Sequence, residues 1–108
     1  MSESKRRQHI NKLASELTKD LTDKGKLIEA GFAIFAKMVI PKDAPAIQFI
    51  EMQTAFMAGA EHVWTSVMNI LDPGDEPTAD DLRRMDLIQL ELDEWRKMMR
   101  ARMNEGKH

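Results

Sequence analysis

Apolar side chains recur along this chain at steps of three and four, the spacing of one face of an α-helix. Ile10, Leu13, Leu17 and Leu21 begin the pattern, and Ile28, Phe32, Phe35 and Val39 continue it. No stretch alternates apolar and polar residues for long enough to read as a strand. Two proline-containing breaks, IPKDAPA at 40–46 and DPGDEPT at 72–78, divide the chain into three helical segments, and DKGK at 23–26 is a candidate third break. The first stripe keeps its phase across Gly25, which favours one long, bent helix from Glu3 to Val39. Glycine costs about 1 kcal/mol inside a helix, so a division into two helices is the alternative.

The second helix is expected to start after Asp43, a good N-cap residue, with Pro45 tolerated in its first turn, and to run to Leu71. It carries two apolar stripes. Phe49, Met52, Phe56, Val63, Val67 and Ile70 form one; Ile50, Met57, Trp64, Met68 and Leu71 form the other. Two stripes predict burial on two sides, which would put this helix at the centre of the fold. Ala55, Ala58, Gly59 and Ala60 cluster where a close helix crossing needs small side chains, and Gly31 is their candidate partner. The third helix starts at Thr78, with Asp81 at capping-box spacing and Asp80 also suited to the positive end of the helix dipole. Met85, Ile88, Leu92, Trp95 and Met99 then recur at 3, 4, 3, 4, the a/d rhythm of a coiled-coil seam, and Leu82, Leu87 and Leu90 widen the apolar face.

The pattern therefore predicts an all-α fold of three long helices, the first open to division into two, arranged as a helical hairpin or bundle. Its 108 residues read as a single helical domain spanning 1–108, with 1–9 and 104–108 frayed. Composition narrows the chemistry. The chain has no Cys, which removes disulfides, a thiol nucleophile and Cys-ligated metal sites. Its net charge of -2 argues against a general nucleic-acid binder. No run of about 18 apolar residues could span a membrane, and MSESKRRQHINK lacks the apolar core of a secretory signal. A cytoplasmic location is expected.

Charge is unevenly placed. Residues 72–94 carry nine acidic and two basic side chains, whereas 95–108 carry five basic and one acidic. One reading is dipole complementation with a solvated surface. The sharper one is that the last helix pairs antiparallel with a copy of itself. Asp80, Asp81 and Asp86 of one copy would then lie near Arg96, Arg100 and Arg102 of the other. Met85, Ile88, Leu92, Trp95 and Met99 would form the interface between them. A small chain with this many apolar helix faces is expected to form a homo-oligomer.

Catalytic constellations are sparse. Glu29, Glu51 and Glu61 are followed at +3 by Phe32, Thr54 and Trp64, so the Glu-x-x-His motif of di-iron bundles is missing. His62 has no ligand partner one turn earlier, where Ala58 stands. Glu61, His62 and Trp64 form a candidate exposed site; Trp64 and Trp95 sit on apolar stripes and are expected in the core, where an exposed tryptophan would instead mark an interface anchor or a base-stacking platform. Glu91 and Glu94 make an E-x-x-E pair of the kind that holds Mg²⁺ in helical nucleotide pyrophosphohydrolases. Asp20 and Asp23 are the only comparable second pair, and a solvated helix face explains both. No Gly-rich phosphate loop or H-E-x-x-H motif occurs. Neither basic tip, Lys5, Arg6, Arg7 and Lys12 or Arg96, Lys97, Arg100 and Arg102, has the interleaved aromatics of a nucleic-acid surface. No catalytic residue, cofactor or metal is predicted.

GKLIEAGFAIF at 25–35, IPKDAP at 40–45, EMQTAFMAGAEHVWTSVM at 51–68 and LDPGDEPTADDLRRMDLIQLELDEW at 71–95 resemble a group of small phage and prophage proteins of proteobacteria. More distantly, a helix, a proline-containing turn and a second helix bearing TAFMAGA at 54–60 resemble the helical hairpin of phage cyclic-nucleotide sponges that block CBASS-type immunity. The chain lacks their tyrosine and continues into a third long helix, and no ligand-binding residue carries over. These resemblances imply an accessory, anti-defence or host-modulating role. The resulting expectation is a non-catalytic binding protein that acts as an oligomer, with a host or phage protein partner or a nucleotide ligand. A cyclic-nucleotide sponge, an all-α nucleotide pyrophosphohydrolase and a DNA-associated accessory protein are the alternatives.

Overall fold

In a computed structural model, which describes residues 2–106, the chain is all-helical: α1 Glu3–Asp23, α2 Leu27–Val39, α3 Ala46–Ile70 and α4 Ala79–Glu105. The first segment is thus two helices, and the single bent helix favoured by its stripe does not form. Gly25 is the cause. Its φ of 70° lies in the left-handed region that a side chain disfavours. The Gly25 amide donates to the Thr22 carbonyl at 3.0 Å and the Lys26 amide to the Leu21 carbonyl at 2.8 Å. That pair of bonds is the Schellman closure, which satisfies the last carbonyls of α1. An apolar stripe can stay in phase across such a closure, so periodicity alone could not reveal it.

The amino-terminal end is capped where fraying was expected. The Ser2 hydroxyl accepts from the Lys5 amide at 3.2 Å, and residues 3–9 are helical. Residues 104–105 are also helical, with Gly106 as the cap. Met1, Lys107 and His108, included in the expected fraying, lie outside the described residues.

The chain divides within α3 into two compact units, Met1–Val63 and Trp64–His108. In the first, α2 and α3 form a hairpin across residues 40–45. All four phenylalanines of the chain meet there. Phe32 packs edge-on against Phe49 and Phe56, with ring centroids 5.4 and 5.5 Å apart, and Phe35 stacks tilted on Phe56 at 5.5 Å. Spacings of three on α2 and seven on α3 put these rings on facing sides, in the geometry aromatic pairs prefer. Phe32 is the one buried apolar side chain among the described residues, 4% exposed. α3 starts at Ala46, where the Pro45 carbonyl accepts from the Gln48 and Phe49 amides at 3.0 and 3.3 Å. Asp43, the expected N-cap, stands outside the helix and is exposed.

Two further expectations are corrected here. α3 is not buried on two sides: Phe49 and Phe56 meet the rings of α2 and Met52 is half-buried, but Ile50, Met57, Trp64, Met68 and Leu71 are all exposed. The small-residue crossing is not formed among the described residues. A Cβ on Gly59 would meet nothing within 4 Å, and Ala55 is exposed. Gly31 does mark a close approach, but its neighbour is the Phe56 ring, 3.6 Å from where a Cβ would sit.

Candidate interaction surface on the last helix

The start of α4 is built by a polar cluster. Thr78 is the N-cap: its hydroxyl accepts from the Asp81 amide at 3.1 Å, and the Asp81 carboxylate accepts from the Thr78 amide at 3.0 Å. The capping box read from the sequence is therefore present, with aspartate in place of the usual longer acid. The other Asp81 oxygen accepts from the Asp72 amide at 2.9 Å. The Thr78 hydroxyl donates to Asp72 at 2.6 Å. Arg84, one turn on, donates to the Ile70 carbonyl at 3.0 Å and to Asp72 at 3.3 Å, so it bridges the end of α3.

Asp81 is only 3% exposed, yet it stays charged. The Asp72 amide, then the Thr78 amide, hold its carboxyl below the ordinary aspartate range, aided by the Thr78 hydroxyl and the Arg84 guanidinium and opposed by burial. Asp72 and Arg84 were not singled out in the sequence. They lie nine and three residues from Asp81, at spacings that carry no motif, although an aspartate-proline-glycine turn before a capping box marks where such partners could gather.

Beyond this cluster α4 presents apolar side chains with little to cover them. In the candidate seam Ile88 and Met99 are half-buried, while Met85, Leu92 and Trp95 are exposed, the last two at 49% and 56%. Leu82, Leu87, Leu90, Met98 and Met103 are exposed as well.

The other sequence candidates are placed as follows. Glu61, His62 and Trp64 are all on α3 and exposed, Trp64 at 63%, so neither tryptophan is a core residue. Glu91 is exposed; Glu94 pairs with Lys97 at 3.5 Å and Asp20 with Lys24 at 3.0 Å. No group of three or more His, Asp or Glu able to hold a metal occurs among the described residues. A depression of about 200 Å³ beside the cap cluster is lined by Leu71, Asp72, Gly74, Asp75, Glu76, Pro77 and Asp81. Its four carboxylates are a poor lining for a phosphate-bearing ligand. No described helix is long and apolar enough to cross a membrane.

No known protein family, no characterised protein and no solved structure matches this chain.

Proposed function

We propose that this chain is a non-catalytic interaction protein that acts as an assembly of copies, its exposed helix faces providing the contacts. One observation carries the reading. Both units leave their apolar stripes uncovered, with a single apolar side chain buried among the described residues. Monomeric proteins rarely expose large contiguous apolar patches, and such patches mark interaction sites. The resemblance to small phage and prophage proteins supports an accessory role in a bacterial cytoplasm, with anti-defence or host-modulating binding as its purpose.

Sedimentation velocity tests the assembly. The wild type is expected to sediment as a dimer or larger species at micromolar concentration and to dissociate on dilution. A chain that sediments as a monomer at every concentration and salt overturns the reading.

A further inference from the structure

We infer that the surface joining two copies is the Met85–Met99 seam of α4, and that the two α4 helices run antiparallel about a two-fold axis at Leu92. This rests on the assembly reading above and deepens it by naming the occupant and its direction.

Three observations select a second copy of α4. First, the seam is open. Met85, Leu92 and Trp95 are exposed, and they follow the a/d rhythm that buries against another helix with the same rhythm. Second, three of the five seam residues are placed symmetrically, while Ile88 and Trp95 would face Arg96 and Gln89 of the partner copy. Leu92 lies seven residues from both Met85 and Met99. An antiparallel mate would therefore set Met85 against the partner copy's Met99, and Leu92 against itself. A self-complementary patch is what a two-fold interface requires.

Third, charge sets the direction. The first half of α4 is acidic and the last turns are basic, so an antiparallel mate brings unlike ends together and a parallel mate brings like ends together. The ion pairs within α4 refine this. Asp80 is held by Arg83 and Asp81 by the cap cluster, so Asp81 does not face the partner copy as the sequence suggested. Asp93 holds Arg96 and Glu94 holds Lys97. Asp86 and Arg100 have no such ion pair within the described residues, and an antiparallel mate sets them at nearly the same level along the seam. The helix dipoles also oppose in this arrangement.

The chain has no cysteine, so single cysteines report the geometry directly. Leu92→Cys places its thiol on the two-fold axis, and mild oxidation is expected to convert most of it to a disulfide dimer. Leu90, expected from the sequence to widen the seam's face, lies about 160° round the helix from Leu92, so Leu90→Cys supplies the collision background, expected to be about fivefold lower because a disulfide needs Cα atoms within about 7 Å. Met85→Cys alone is expected to stay at background, because its symmetry mate lies about 21 Å along the helix. Mixed with Met99→Cys it is expected to give a heterodimer. Circular dichroism of each variant confirms that it is folded.

If the wild type assembles but Leu92→Cys stays at background, the α4 inference is overturned and the assembly reading stands. Efficient self-crosslinking of Met85→Cys means parallel helices and also overturns it. If the wild type is a monomer, the assembly reading fails first, and the inference with it.

Discussion

The two units of this chain bury opposite kinds of side chain. In Met1–Val63 the buried residue is Phe32, enclosed by three other rings of the same hairpin. In Trp64–His108 it is Asp81, a charged group held by two backbone amides. The first unit uses non-directional packing, which gains from every apolar atom removed from water. The second uses directional hydrogen bonds at one helix end, which define where and at what angle α4 starts but cover none of its apolar length. The aromatic cluster of the hairpin is thus satisfied within the chain, although Ile10, Leu13, Leu17 and Ile34 of the same unit are exposed, whereas the cap cluster leaves the apolar length of α4 uncovered. Stability at the aromatic cluster should be independent of concentration, and under the proposed assembly that of α4 should follow the equilibrium with a second copy.

The largest expected effect is on the aromatic cluster. Phe32→Ala should destabilise the hairpin by about 3 kcal/mol or more, the range for emptying a buried phenylalanine site. Thermal unfolding should show the loss equally in dilute and concentrated samples. A loss that disappears at high concentration would break the contrast between the units.

Next comes Gly31, where the Phe56 ring already stands at contact distance. Gly31→Leu should cost about 1–3 kcal/mol by forcing the hairpin open. Gly59 makes the matched control: with open space around it, Gly59→Ala should stabilise α3 by about 0.5–1 kcal/mol through helix propensity alone. If Gly59→Ala instead destabilises, a neighbour packs on that face, and its concentration dependence will say whether it comes from another copy.

The polar unit is sharpened by pH. Because Asp81 titrates lower when folded than when unfolded, its contribution is present above the ordinary aspartate value of 3.8 and fades as pH falls through its lower folded value. Melting curves followed downward from neutral pH should show a drop below that range that Asp81→Asn lacks, having already lost it at every pH. A wild type and a variant with parallel pH profiles would remove Asp81 from the account. The smallest expected effect is at the E-x-x-E pair. Glu91→Gln should leave stability unchanged within about 0.5 kcal/mol, as for other surface sites. Mg²⁺-dependent cleavage of a nucleoside triphosphate that vanished in this variant would overturn the non-catalytic proposal.

Much of the architecture was legible in the residues. The all-α class, the two proline-marked breaks and the Thr78–Asp81 cap follow from spacing that acts within a turn or two of helix. What was not legible depends on which apolar faces find partners. Phe49 and Ile50 look equivalent as stripe members, yet Phe49 meets Phe32 and Ile50 is exposed. The break at Gly25 was hidden because its stripe stays in phase, and only the positive φ distinguishes a terminator from a tolerated helix glycine. Ala55 and Gly59 looked like a crossing because small residues permit close approach, but permission does not supply a neighbour. At the candidate surface the seam residues were readable from their 3, 4 rhythm, whereas Arg84 was not, because its reach back to Ile70 depends on how the turn at 72–78 folds.

The cap cluster also bears on the order of events as the chain acquires its structure. Every bond in it joins residues no more than 14 apart in sequence. Contacts this local form early, since they close only short loops. The turn and the first coil of α4 can therefore be in place on a lone chain, before any encounter with another. Under the proposed pairing, what remains is a second-order step, the meeting of two helices whose starting points are already set. The rate of assembly should then rise with protein concentration, and damage to the cap should slow it by returning the ordering of the turn to the moment of collision.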